Sequence, residues 1–174
     1  VRGAGISFNY PDIVQDANMA IENGFSEIVL TGVDTASYAR DGMLISDVCR
    51  GLLQDIGGLK RLRLSSLDPA SPQIYKIFEL MATDARMMPH IHLSMQSGSD
   101  TILGQMHRRH TAEMVRQLVA AAPDVTFSWD IICGFPGESD ELFAETINLA
   151  RELGPIHIHA FPFSPRPGTV AAQM

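Results

Sequence analysis

Apolar and polar positions along the chain follow two alternating patterns. Five short apolar runs, Glu27–Thr31, Arg61–Ser65, His90–Gln96, Thr126–Cys133 and Ile156–Pro162, read as strands. Between and before them, Ile13–Asn23, Leu44–Ile56, Ile74–Met81, Ala112–Ala121 and Leu142–Leu153 space their apolar residues as helices do. Strand and helix recur roughly every 30 residues, the rhythm of repeated βαβ units, whose strands run parallel under covering helices. Ser71-Pro72 and Thr111 mark helix starts, and Gly24, Gly57-Gly58 and Gly154 mark helix stops. Acid collects at one start, Glu138-Ser139-Asp140-Glu141, where the helix dipole favours it.

The carboxyl ends of the five strands share a character. They open into Thr31-Gly32-Val33-Asp34, Ser65-Ser66-Leu67-Asp68, Gln96-Ser97-Gly98-Ser99-Asp100, Gly134-Phe135-Pro136-Gly137 and Pro162-Phe163-Ser164-Pro165-Arg166. In a βα barrel such loops lie on one face, and that face carries the chemistry. Five units are too few for a closed eight-strand barrel. The sequence therefore predicts an α/β fold, a partial, open (β/α) TIM-type barrel of parallel strands that lacks its first strand.

Composition narrows the class. The 174 residues, 45% apolar and 19% charged, suit one globular domain with a real core. No apolar run approaches the ~20 residues that span a bilayer, so no membrane partner is expected. Val1-Arg2-Gly3-Ala4-Gly5 is neither a signal peptide nor a natural start, and the chain is expected to be cut from something longer. Two cysteines, Cys49 and Cys133, are too few for a disulfide framework or a cysteine-rich metal site, which makes the cytoplasm the default location. A net charge of −7 argues against a chain-wide nucleic-acid surface but leaves room for a local basic groove.

Several groups carry candidate chemistry, each with a plainer reading. Gln96-Ser97-Gly98-Ser99-Asp100 offers hydrogen-bonding side chains for a sugar or amino-acid ligand, and would equally serve as a turn or cap. Thr31-Gly32-Val33-Asp34 can hold an amino group, or be an ordinary βα loop. His90-x-His92 and His157-x-His159 put two imidazoles on one strand face each, as a metal-dependent hydrolase would. Yet His90 and His92 lie early on their strand, well below Gln96, and no carboxylate cluster at the strand ends completes such a site, so these histidines read as core or structural. The basic runs Met106–His110 and Lys60-Arg61-x-Arg63 read as solvated surface. Arg166 is the exception, because Pro165 and Pro167 stiffen it after the last strand. Cys49 and Cys133 read as packing residues.

Six blocks taken in order carry a resemblance. They are Leu30-Thr31-Gly32-Val33-Asp34 with Ser37-Tyr38, Arg61-Leu62-Arg63-Leu64-Ser65-Ser66, His92 through Asp100, Met106-His107-Arg108-Arg109, Asp130 through Glu138, and Phe163-Ser164-Pro165-Arg166-Pro167-Gly168-Thr169. Together they resemble the methylthiotransferase family of radical S-adenosylmethionine enzymes, from about Ser26 to the end. The Thr-Gly-Val-Asp and Leu-Ser-Ser forms look most like the branch acting on threonylcarbamoyl-adenosine in tRNA. The resemblance implies a radical S-adenosylmethionine domain, a [4Fe–4S] cluster, tRNA as substrate, a reductant such as flavodoxin or ferredoxin, and addition of a methylthio group to a modified adenosine beside the anticodon. It also implies residue roles. Thr31, Gly32 and Asp34 would face the methionine amino group, and Ser65, Gln96 and Ser97 the methionine or ribose part. Asp130 and Gly134 would lie toward the adenine. Phe163 and Arg166 would flank adenine or RNA. The five loops would then converge on a single nucleoside-shaped hollow.

The departure from the family is as specific as the match. Its Cys-x-x-x-Cys-x-x-Cys loop is not in these residues; Arg2-Gly3 reads as the remnant of the Gly-Arg-Gly that trails it. The N-terminal cluster domain and the C-terminal RNA-binding barrel are not in residues 1–174 either, and Cys49 and Cys133 cannot replace three thiolates. The expectation is a partial radical S-adenosylmethionine domain, inactive alone. The alternatives are another radical enzyme, such as a radical methylase, and a hydrolase built on the histidine pairs.

Overall fold

The computed structural model describes residues 5–174, so Arg2-Gly3 lies outside the described residues. These residues form two compact units: 5–67 with Ser71–Ile91, and Asp68–Ala70 with His92–Met174. The strands are parallel where their register is defined, apart from one small hairpin.

The first unit begins with helix α1 (Tyr10–Glu22), strand β1 (Glu27–Leu30) and a 3-10 turn at Thr35–Ser37. A hairpin of β2 (Ala39–Arg40) and β3 (Met43–Leu44) leads into α2 (Ile45–Asp55), β4 (Arg61–Leu64) and α3 (Gln73–Thr83). β1 and β4 pair in parallel, Glu27 opposite Arg61 and Leu30 opposite Leu64. Helix α1 starts three residues before the predicted Ile13. Asn9 caps it, its side chain accepting the Asp12 N–H at 2.8 Å, and Pro11 fits the first turn. The core here is Val48, Cys49, Leu52, Leu62, Ile74 and Ile77, all nearly inaccessible. The Arg61 and Arg63 guanidinia both pair with Glu27 on the adjacent strand, so these two residues of the basic run form a cross-strand ion-pair group rather than freely solvated surface.

The second unit carries a three-stranded sheet in the order β5-β6-β7, with β5 His90–Gln96 (in this unit from His92 on), β6 Thr126–Cys133 and β7 His157–Pro162. Helices α4 (Asp100–Gln105) and α5 (Ala112–Ala120) connect β5 to β6, and α6 (Asp140–Leu153) connects β6 to β7. These are the long crossovers that parallel neighbours need. β6 and β7 are parallel, with Asp130 opposite His159 and Cys133 opposite Pro162. Alternation divides the sheet residues. Leu93, Met95, Phe127, Trp129 and Ile131 are buried with Ile102, Leu103, Val115, Leu118 and Leu149 of the helices. His92, Ser94, Gln96 and Asp130 alternate with them and are half-buried. Thr111 and Ser139 cap α5 and α6, accepting the N–H groups of Met114 and Leu142. Gly154 ends α6 in the left-handed conformation. Among the described residues no helix is long and apolar enough to cross a membrane.

Candidate functional site

In the first unit, the structure gathers Thr31, Gly32, Asp34 and Ser65 at the carboxyl ends of β1 and β4. The Ser65 N–H donates to the Leu30 carbonyl at 2.9 Å, which carries the pairing one residue past the strand. Thr31 through Asp34 are exposed, whereas the next residue, Thr35, is buried. Its hydroxyl bonds that of Ser65 at 2.9 Å, tying the two loops together. A side chain at Gly32 would meet the Thr35 hydroxyl at 3.3 Å, so the turn is close there. Ser37 donates from its N–H and hydroxyl to the Asp34 carbonyl, which fixes the turn behind the exposed Asp34 carboxylate. Thr35 is a residue that sequence reasoning missed, since one Thr among turn residues carries no signal.

In the second unit, Gln96, Gly134 and Phe163 stand at or just past the ends of three neighbouring strands. Gln96 has φ 65°, a left-handed backbone that is costly for a residue with a side chain. The Ser97 N–H donates to the Met95 carbonyl at 2.8 Å, closing a three-residue turn around Gln96. Such strain persists only where the surroundings impose it, and here they do. Arg108 donates to the Ser94 carbonyl at 2.8 Å, and His110 Nε2–H to the Met95 carbonyl at 3.0 Å. Thr146 of α6 accepts the Gly98 N–H at 2.9 Å and lies 3.3 Å from the Ser97 hydroxyl, which itself accepts the Ser99 N–H. Ser97 is thus buried as a brace for the loop. The run Met106–His110 is not simply solvated surface either. Arg109 is exposed and pairs with Asp68 at 3.1 Å, while Arg108 and His110 turn inward and hold the backbone ahead of Gln96.

The His110 support has a pH signature. Burial, followed by the nearby Arg108, lowers the imidazole below its ordinary value, although Met95, Asp68 and Asp100 act in the opposite sense. Nδ1 is buried without a hydrogen-bond partner and faces Asp68 at 3.8 Å. A histidine lowered on folding stabilises the fold above its unfolded value, and the contribution is lost as pH falls through the lower folded value. Urea unfolding should therefore lose more stability below about pH 6.5 in the parent than in His110→Gln, whose amide keeps the donor to Met95. Equal pH slopes would contradict this assignment.

After β6, Gly134 is exposed, has φ 73°, and donates its N–H to Glu138 Oε2 at 2.6 Å. A Cβ at Gly134 would meet nothing within 4 Å, so its surface is open and only its backbone angle favours glycine. Phe135 packs edge-on against Phe163 with ring centroids 5.3 Å apart, and the Phe163 N–H donates to the Cys133 carbonyl at 2.8 Å. Arg166 is exposed, and its carbonyl accepts from Thr169. The result is an open edge of backbone, a half-exposed aromatic ring and one constrained amide side chain. These groups suit a flat nucleobase and its hydroxyls.

Asp130 lies elsewhere on the sheet, four residues before Gly134. Its Oδ1 is 2.9 Å from His92 Nε2, and His92 Nδ1 is 2.6 Å from the Ser128 hydroxyl. His159 on β7 is the register partner of Asp130 on β6, and His92, Asp130 and His159 each present a ligand atom within 4.8 Å of the others. The sequence gives these histidines no third partner; the strand register supplies one. They sit along the strands rather than at the strand tops that a barrel hydrolase uses.

The cysteines do not fit an iron–sulfur cluster. Cys49 is fully buried in α2, and burial pushes its thiol up to about 12. Cys133 ends β6 in the other unit, its thiol raised by burial and by Glu138. Two thiols on separate elements, both held protonated, provide no set of thiolate ligands.

Known proteins give the fold and the motifs a context. A family model described as the Radical SAM superfamily matches residues 2–150. The threonylcarbamoyladenosine tRNA methylthiotransferase MtaB of Rickettsia prowazekii (strain Madrid E) is 41% identical over all of this chain and 43% of its own length. A tRNA-2-methylthio-N(6)-dimethylallyladenosine synthase of Cereibacter sphaeroides (strain ATCC 17023) is 36% identical over 99% of this chain and 40% of its own length. The chain thus spans less than half of these relatives. Among solved structures, the radical S-adenosylmethionine methyltransferase TsrM of Kitasatospora setae aligns with TM-score 0.70 at 14% identity, covering 88% of this chain and 31% of that one. Coproporphyrinogen III oxidase (HemN) of Escherichia coli aligns with TM-score 0.69 at 19% identity, covering 94% and 39%. At these identities the two structures speak for the fold alone.

Proposed function

The chain belongs to the radical SAM superfamily, and from that membership we propose that it is the S-adenosylmethionine-binding part of a tRNA methylthiotransferase. The longer protein would add a methylthio group to a modified adenosine beside the anticodon in the cytoplasm, drawing electrons from a flavodoxin or ferredoxin. The observation that carries the reading is the strained turn at Gln96, held by Arg108, His110 and Thr146 at the end of β5. Backbone strain of this kind clusters at active sites and ligand clamps.

In this reading the Gln96 amide bonds the ribose or methionine part of S-adenosylmethionine. Gly134 and its neighbours give the adenine a backbone surface, with Phe163 against its edge or face. Thr31, Gly32 and Asp34 meet the methionine amino group through carbonyls and a carboxylate, with Ser65 beside them. Ser97 holds the Gln96 loop. Asp130 lies toward the adenine in this reading, with His92 Nε2 2.9 Å from its Oδ1. Arg166 would meet substrate RNA, where a guanidinium suits phosphate. S-adenosylmethionine held against a reduced [4Fe–4S] cluster supplies radical chemistry; this chain's two cysteines do not hold that cluster, and its role is to bind and orient.

The test is calorimetric, on the longer protein with its cluster in place. Gln96→Ala should weaken S-adenosylmethionine binding about tenfold, the worth of one good hydrogen bond at roughly 1.4 kcal/mol. Unchanged affinity would remove Gln96 from the site and with it the main support for this reading.

A further inference from the structure

We propose that His92, Asp130 and His159 form a binding site for a divalent transition-metal ion on the β5-β6-β7 sheet. The three residues come from three neighbouring strands. Asp130 and His159 are brought opposite each other by the parallel register of β6 and β7. Their ligand atoms lie within 4.8 Å of one another, and His92 Nε2 is 2.9 Å from Asp130 Oδ1. Two adjacent ligands at ordinary imidazole and carboxylate bond lengths, about 2.1 Å from an ion, are themselves about 3.4 Å apart at a tetrahedral centre and about 3.0 Å apart at an octahedral one. The His92–Asp130 separation of 2.9 Å matches the octahedral spacing and is short of the tetrahedral one by about 0.5 Å. The remaining adjustment falls to rotation of the exposed His159 ring.

The donor set has a chemical preference. Two imidazoles and one carboxylate suit zinc, iron(II) and their neighbours, and leave further positions open to water or an exogenous ligand. Magnesium and calcium favour all-oxygen sets. His92 also has the support expected of a metal ligand. Its Nδ1 is 2.6 Å from the hydroxyl of Ser128, which is 4% exposed. With Nδ1–H donated to that hydroxyl, Nε2 carries a lone pair toward Asp130, and a cation between the two removes their repulsion. Exposure of His159 gives an ion a way in. The competing arrangement is a simple imidazole–carboxylate hydrogen bond with no ion, and binding measurements separate the two.

Zinc is the probe. The chain, stripped with chelator and dialysed, is titrated with Zn²⁺ by calorimetry and with Co²⁺ by visible absorbance, and circular dichroism checks each variant's fold. The parent should take up one equivalent. His159→Ala is the decisive variant, because an exposed residue on an edge strand is dispensable for folding. It should weaken Zn²⁺ binding at least tenfold, as should Asp130→Asn. Ser128→Ala, which removes no ligand, should weaken binding by about tenfold as an orienting residue does. His157→Ala should leave binding unchanged. Absence of saturable Zn²⁺ binding by the parent would overturn the proposal. So would binding that survives in folded His159→Ala and Asp130→Asn, or that depends on His157 instead. None of these readouts uses S-adenosylmethionine, so they fail or succeed independently of the nucleotide reading.

Discussion

Gly98→Ala should lower the unfolding free energy of the chain by about 3 kcal/mol, the sum of an overpacked contact and a broken buried hydrogen bond. The cause lies between the loop after β5 and helix α6. A Cβ built on Gly98 falls 2.7 Å from the Thr146 Cα, a backbone atom that cannot rotate away, and 3.2 Å from Leu149 Cδ2. The loop and the helix must separate to admit one methyl group. Separation stretches the bond from the Gly98 N–H to the Thr146 hydroxyl, now 2.9 Å, and the contact of that hydroxyl with Ser97. Thr146→Val isolates the polar part. It leaves the Gly98 N–H buried without its acceptor and should cost roughly 1–2 kcal/mol. Urea titrations with unchanged slope would read both values. A Gly98→Ala loss within about 0.5 kcal/mol, the range of an indifferent surface substitution, would mean that the loop and helix are not locked together. The substitution also bears on function, because residues 97–99 anchor the turn that aims Gln96.

The second large effect is an all-or-none one. Anaerobic reconstitution of residues 1–174 with iron and sulfide should give no [4Fe–4S] cluster: no brown charge-transfer absorbance and no protein-bound acid-labile sulfide. Such a cluster needs thiolate ligands. Cys49 is sealed in the core with its thiol pushed up to about 12, so at neutral pH it is a protonated, inaccessible group. Cys133 alone remains, and its thiol is raised as well. Iron taken up at His92, Asp130 and His159 would carry no sulfide, so the sulfide assay distinguishes the two kinds of binding. A stoichiometric cluster stable to gel filtration would contradict the account of both cysteines.

The strands and the larger helices were legible because their apolar periods are long enough to register. β5 and β6 have the predicted bounds, and the caps at Thr111 and Gly154 act where the residue types place them. Helix α4 was not legible. It is six residues long and contains Gly104, too short for a helical period to emerge. The β2–β3 hairpin has two-residue arms around Asp41-Gly42, both at positive φ, so its Asp-Gly turn stood without flanking alternation. At the site, Gln96, Gly134 and Phe163 could be named because strand ends in α/β folds carry ligands and because the motifs resemble a family. What holds Gln96 could not be named. Arg108 and His110 follow a short helix that returns them to the β5 backbone, a tertiary fact that a basic run does not encode. The same holds for Asp130. Its neighbours His92 and His159 are set by register across three strands, which one sequence does not reveal.

Hydrogen–deuterium exchange of the longer protein, cluster in place, with and without S-adenosylmethionine, tests the central claim most directly. The account predicts slower exchange on binding at residues 96–98, 134–138 and 163, and also at 31–35 and 65, with the α2 and α5 surfaces unchanged. Saturating S-adenosylmethionine that leaves these strand-end loops exchanging at their original rates, and protects other segments instead, would contradict it.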